Sequence, residues 1–317
     1  MPLLRTRSLI VFFLPLLLST MPKLAFCAVE KGEWTLSQSV LPDRLQFSIQ
    51  SSDSEGGHFN SSSDWPVGEF KGLDWSAAGK HDVHFAIARD AGTFDCEGFV
   101  DKGAGAGLFT FRANAQYSRE MAALGFGGVT DERQFAFALH DVSLDFAGAI
   151  KAEGITGLDA DKLIAFRIHG VSPQFVRDIR AAGVNVNDGD KLVAFRIHGV
   201  SPDFVKALRA IGVDTSDNDK LIAFRIHGVS PEYVKALRAA GVDTSDSDKL
   251  IAFRIHGVSP EFVGELAKLG YSRPDPDKLV AMRIHGVTPQ HIEALRARGV
   301  KNLTLDQLIA LRIHGID

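Results

Sequence analysis

Two hydrophobic rhythms divide the chain. From residue 30 to about 112, apolar and polar positions alternate, as in Arg44-Leu45-Gln46-Phe47-Ser48-Ile49-Gln50 and Val83-His84-Phe85-Ala86-Ile87-Ala88-Arg89. A period of two predicts strands with one covered face. Asp90-Ala91-Gly92 reads as a turn, residues 93–100 as a returning strand and 108–111 as another. The polar, Ser- and Gly-rich stretch 51–64 predicts an exposed loop. Gly103-Ala104-Gly105-Ala106-Gly107 runs into a strand, whereas a dinucleotide loop opens a helix, so it reads as a flexible hairpin tip. A helical pattern begins at 117–124 and ends at Gly125.

Beyond that point the chain repeats itself. Arg-Ile-His-Gly starts at Arg167, Arg196, Arg225, Arg254, Arg283 and Arg312, always 29 residues apart. The glycines Gly183, Gly212, Gly241, Gly270 and Gly299 keep the same step. A decayed copy lies around His140, with Ala138 at the arginine position and Asp141 at the glycine position. In one repeat, Ser245 and Asp248 resemble a capping box. Leu250, Ile251, Phe253 and Ile255 make a mostly apolar first helix, ended by Gly257 as a left-handed residue. Ser259 caps a second helix with Pro260 in its first position, and Glu261 complements the positive helix end. Phe262, Val263, Leu266 and Leu269 form its apolar face before Gly270. Helices of about ten residues are marginal alone. They must stack on neighbours, which predicts an α-solenoid. The expected fold is α+β: a small antiparallel β-rich domain at 29–116, a degenerate capping repeat at 117–160 and the solenoid of two-helix repeats at 161–317.

Residues 1–28 read as a secretory signal peptide. Arg5 and Arg7 precede an apolar run at 9–18, too short for a bilayer core that needs roughly 20 residues. Ala25-Phe26-Cys27-Ala28 offers cleavage after Cys27 or Ala28. Two alternatives are an uncut anchor and a lipoprotein lipidated at Cys27, although Phe26 stands where a lipobox takes a small residue. The expectation is a periplasmic or extracellular protein without a stable membrane span after cleavage. With Cys27 removed, Cys96 is left without a disulfide partner.

Charge and motifs narrow the chemistry. The 317 residues are 45 % hydrophobic and 23 % charged with a net charge of -4, a globular balance that argues against a general nucleic-acid binder. The corner Gly257-Val258-Ser259-Pro260 looks like a helix-hairpin-helix element. Pro260 has no N–H to offer a phosphate, and residues 161–317 hold 22 Lys and Arg against 19 Asp and Glu. The histidine row is not read as a metal site, because stacked helices lie roughly 8–10 Å apart and zinc–nitrogen bonds are about 2.0–2.1 Å. Each histidine is expected to serve the carbonyl end of its helix, and the arginines to form a ladder with aspartates such as Asp246 and Asp248. His81 and His84 point to opposite faces of a strand, so with His58 they are not read as a metal site, and Cys96 alternates with Phe94 on an inward face. No Gly-x-Ser-x-Gly, His-Glu-x-x-His or Walker loop occurs. No catalytic, cofactor-binding or metal-binding residue is therefore assigned.

Ala88-Arg89-Asp90-Ala91-Gly92-Thr93-Phe94 and Ala138-Leu139-His140-Asp141-Val142-Ser143, followed by Leu-Ile-Ala-Phe-Arg-Ile-His-Gly-Val-Ser-Pro units, carry a resemblance. Nearly all of the chain after the signal segment resembles an uncharacterised exported bacterial region. In some proteins that region follows the membrane metallopeptidase of β-lactam-sensor type. The resemblance implies extracytoplasmic sensing or interaction. The peptidase's motif and membrane helices are missing from this sequence, so its activity is not carried over. The functional expectation is a non-catalytic envelope protein engaging a protein or glycan, and no nucleic acid, along its repeats. The expected contact residues are Arg196, Arg225, Arg254, Lys206, Arg209, Lys235 and Arg238. The alternatives are an unrecognised hydrolase in the β-rich domain, and nucleic-acid binding through the corners.

Overall fold

A computed structural model of the chain describes residues 31–52 and 58–316. The expected signal segment and its cleavage site lie outside these residues. The chain divides into two compact units. One holds the described residues up to Ala88 together with Thr93–Arg112 and Asp131–Phe135. The other holds Arg89–Gly92, Ala113–Thr130 and everything from Ala136 onward. The α+β architecture expected from the two rhythms is the one observed.

The β-rich part is built on β1 (Lys31–Gln38), β2 (Arg44–Ser52), β3 (His58–Pro66), β4 (His81–Arg89), β5 (Gly92–Asp101) and β6 (Ala104–Ala113). They form one sheet in the order β3-β2-β1-β6-β5-β4, antiparallel along β3-β2-β1-β6. Phe47 on β2 and Phe85 on β4 would be about 19 Å apart on a flat sheet with strands about 4.8 Å apart. Their ring centroids are 6.5 Å apart, and Trp65 on β3 lies 6.3 Å from Phe94 on β5. The sheet therefore coils until opposite strands share one aromatic core.

Two expectations are corrected here. The serine-rich stretch is not wholly a loop: Ser61, Ser62 and Ser63 pair in β3 with Ile49, Ser48 and Phe47. An edge strand with one wet face tolerates such residues. The glycine run is not a hairpin tip either. The turn is Lys102-Gly103, with φ of 48° and 78°, and the later glycines belong to β6. They leave room for the buried Trp34, whose indole N–H donates to the carbonyls of Glu97 (3.2 Å) and Leu108 (3.1 Å). A Cβ on Gly98 would lie 2.8 Å from the indole, and one on Gly107 2.0 Å from the Glu97 carbonyl.

The helical unit begins with α1 (Ala115–Ala123), α2 (Asp131–Leu139) and α3 (Leu144–Ala152). Each repeat then adds a first and a second helix. The first helices are α4 (Ala160–His169), α6 (Gly189–His198), α8 (Asn218–His227), α10 (Ser247–His256), α12 (Pro276–Ile284) and α14 (Leu305–Ile313). The second helices are α5 (Pro173–Ala181), α7 (Pro202–Ala210), α9 (Pro231–Ala239), α11 (Pro260–Lys268) and α13 (Pro289–Ala297). First helices pack on first helices from α4 to α14, and α1, α3, α5 and the later second helices pack in series beside them. The core between the two layers is repeated in register: Leu221 and Phe224 from α8 with Tyr233, Val234 and Leu237 from α9, for example.

The corner follows its sequence logic. Gly257 closes α10 at φ 70°, Ser259 Oγ accepts from the N–H of Phe262, and Pro260 opens α11. The first-helix cap differs from the expected capping box. Asp246 is the N-cap and accepts from Asp248 N (2.8 Å) and Lys249 N (3.3 Å), leaving the Asp248 carboxylate for another partner.

One second helix carries an interior glycine. A Cβ on Gly264 of α11 would meet nothing within 4 Å, and its φ is not in the left-handed range. Gly264→Ala is expected to stabilise the array by about 0.5–1 kcal/mol through the chain entropy it removes. A higher urea midpoint, with slower amide exchange across α11, checks this.

Candidate functional site

The Arg-Ile-His-Gly motif resolves into three jobs. Each arginine reaches back one repeat. Arg196 Nε donates to the carbonyl of His169 (3.1 Å), Arg225 to His198 (3.3 Å), Arg254 to His227 (3.0 Å) and Arg283 to His256 (3.3 Å). The same guanidinium lies over the aromatic ring of the preceding second helix. The distances are 5.0 Å for Arg196 over Phe175, 4.9 Å for Arg225 over Phe204 and 4.7 Å for Arg254 over Tyr233. A helix leaves its last carbonyls without intrahelical partners, so a donor arriving from the next repeat completes the end of the previous one. The ring adds a cation–π contact.

Although Arg167 pairs with Asp141, Arg196, Arg225, Arg254 and Arg283 thus do not form the expected ladder with aspartates. Lysine and aspartate do: Lys162 pairs with Asp190, Lys191 with Asp219, Lys220 with Asp248 at 3.0 Å, Lys249 with Asp277 and Lys278 with Asp306. The aspartates sit in the first helical turn and the arginines in the last, so only the lysine beside each aspartate position is near the next repeat's aspartate. The hydrogen bond to Asp248 raises the Lys220 pKa above its ordinary value.

The other expected contact residues divide in two. Arg209 donates to the carbonyls of Ala182 (3.3 Å) and Gly183 (2.9 Å), and Arg238 to Ile211 and to Thr244 Oγ1 (2.6 Å). Both tie second helices together as the motif arginines tie first helices. Lys206 and Lys235 are exposed on α7 and α9, three residues from the exposed Asp203 and Glu232, so that surface is mixed in charge.

The histidines end their helices, where their backbone carbonyls are the acceptors just described. His140 holds the corresponding place after α2. Its carbonyl accepts from Arg167 Nε (2.9 Å), and Arg89 donates to Ala138 (2.8 Å) one turn earlier. Burial, and then Arg89 and Arg167, lower the His140 pKa to about 4.

The residue that sequence reasoning missed is the motif isoleucine. Ile168, Ile197, Ile226, Ile255, Ile284 and Ile313 are 48–55 % exposed, all in register on successive first helices. Ile255, read as one of the residues that make the first helix mostly apolar, lies two residues from the buried Phe253. Two residues are about 200° around a helix, which puts it on the opposite side. Ile251 and Ala252, four and three residues before it, are half-buried and widen the stripe. The helical wheel carried this signal. The overall apolarity of the segment concealed it.

The β-rich unit offers less organised chemistry. Cys96 is fully buried, and desolvation, with Asp95 beside it, raises its thiol pKa well above the ordinary value, which disfavours the thiolate. The His81 ring lies between the carbonyls of Gly79 (2.9 Å) and Asp74 (3.0 Å), and those bonds raise its pKa. Depressions of 740 and 640 Å³ on this unit are lined by neither Cys96 nor a described histidine. The His58 side chain lies outside the described residues. Among the described residues, no group of three or more His, Cys, Asp or Glu side chains is placed to hold a metal ion, and no helix is long and apolar enough to cross a membrane.

No family model, curated protein or solved structure matches the chain.

Two outcomes follow from this geometry. Arg225→Lys keeps the charge but loses the planar fork, and is expected to destabilise its repeat junction by about 1 kcal/mol or more. Faster amide exchange at Gly199 and Val200, in the corner that Arg225 closes, is the readout. His140 sets an acid limit. In the unfolded chain its imidazole titrates near 6.5. Between about pH 6.5 and 4 the unfolded state therefore binds a proton that the folded state does not, and stability falls as pH drops across that window. His140→Asn should lose less stability than the parent between pH 6.5 and 4.5 in parallel thermal melts.

Proposed function

We propose that this chain is an exported, non-catalytic interaction protein of the bacterial envelope that engages a protein partner with the outer face of its first helices. The six isoleucines in register carry this reading. An apolar stripe repeated on consecutive helices exceeds the scattered exposed side chains of ordinary surfaces. Arg196, Arg225, Arg254, Arg209 and Arg238 are occupied in ties between repeats. This shifts the expected contact surface from the basic residues to the aliphatic ones. A stripe of isoleucine without aromatic rings also suits a protein surface better than a glycan. The export half of the reading rests on the apolar segment at 9–18 behind Arg5 and Arg7.

Site-specific photocrosslinking in cells tests it. A photoreactive residue at Ile226 should give a discrete crosslinked species from the envelope fraction, and the same residue at Lys206 should not. Failure at Ile226, or crosslinking only at Lys206, contradicts the assignment.

A further inference from the structure

The isoleucine face has a layout that fits one partner better than others. In α8 the exposed Asp219 stands in the first turn, Ile226 and its flanking Ala223 lie on the outer side, and Arg225 is in the last turn. The other first helices repeat this arrangement: Asp190 to Arg196 in α6 and Asp248 to Arg254 in α10. The face is thus an apolar stripe whose N-terminal edge is net acidic, with two aspartates to one lysine in each of these helices (Asp217, Asp219 and Lys220 in α8), and whose C-terminal edge carries the motif arginine, still exposed although tied to the preceding repeat. The aspartates keep their side chains 61–72 % exposed even while paired with lysine.

We propose that this face pairs with the same face of a second copy of the chain, around a two-fold axis running along the array. This rests on the reading above that the isoleucine face is the contact surface. Three observations select the second copy. Rotation about that axis reverses helix direction, which brings the acidic edge of one copy over the basic edge of the other. It leaves the order of repeats unchanged, so the isoleucines of both copies advance at the same spacing; an unrelated surface would have to match that spacing by chance. The area also suffices. Six helices of about 15 Å, set roughly 9 Å apart, present about 800 Å² per copy, the share of a standard interface. Such an isologous contact is self-limiting and gives a dimer, with every substitution counted twice.

The test uses the purified full chain in sedimentation velocity and light scattering from 1 to 100 µM, beside Ile226→Asp with Ile255→Asp and beside Lys235→Glu as a surface control. The expected result is a dimer for the parent and for Lys235→Glu, and a dissociation constant raised at least about 100-fold in the isoleucine variant. Unchanged far-ultraviolet circular dichroism shows that the variant still folds, as substitution of half-exposed side chains should allow. Should it unfold, Ala223→Arg, on the same face, is expected to weaken the dimer in the same sense. A monomeric parent across the range overturns the proposal, as does a dimer indifferent to folded variants of this face. A monomeric parent whose Ile226 crosslinks to a different protein overturns the second copy as occupant while leaving the contact surface standing.

Discussion

The array depends on the arginine that each first helix sends to the end of the one before it. Helices of nine or ten residues have too few internal hydrogen bonds to stand alone. Their final carbonyls are the costly part, and here they are met from outside. The glycine after each first helix turns at φ 70–73° from Gly170 to Gly286, and its N–H returns to the last turn. The next arginine then supplies a further donor and covers the turn. The glycine is required twice over. Its backbone conformation disfavours side chains, and a Cβ on Gly228 would stand 2.7 Å from the Arg254 guanidinium. Arginine and glycine in the motif are therefore one device shared between neighbouring repeats.

The device survives where the motif has decayed. Asp141 takes the glycine position at φ 54°, and its carboxylate pairs with Arg167, while Arg167 Nε still reaches the His140 carbonyl. The start of the array extends further back than the visible repeat. Tyr117 in α1 donates to the Val142 carbonyl (2.7 Å), as Tyr233 in α9 does to Val258 (2.6 Å). The hairpin end Arg89–Gly92 belongs to this region: Arg89 caps α2 and the Asp90 carboxylate accepts from Leu144 N (2.9 Å). A sequence that has lost its arginine and glycine thus keeps the interactions they served.

What was legible in the sequence was whatever depends on local chemistry. Gly257, Ser259 and Pro260 specify a corner by backbone preference alone, and period two specified β2 and β4. What was not legible depends on neighbours distant in the chain. The partners of the arginines are a carbonyl and a ring 27 and 21 residues earlier, and charge alone suggested aspartate instead. Gly105 and Gly107 read as flexibility because what needs their space, the Trp34 indole for Gly105 and the Glu97 backbone for Gly107, lies on other strands. The serines of β3 carry weak strand propensity, and pairing with β2 overrides it.

The same reasoning isolates the isoleucine. Within Arg-Ile-His-Gly, the arginine is fixed by the preceding ring and carbonyl, the histidine position supplies the next carbonyl, and the glycine makes the turn. Phe195, Phe224 and Phe253, just before the motif, fill the core. The isoleucine projects outward with about half its surface in water. Six repeats nonetheless hold isoleucine there, while the neighbouring repeats vary at positions such as Lys235 and Gly264 on the second helices. In the reading proposed above, that position serves an apolar contact made by several repeats at once, a role the array's own packing does not assign to it.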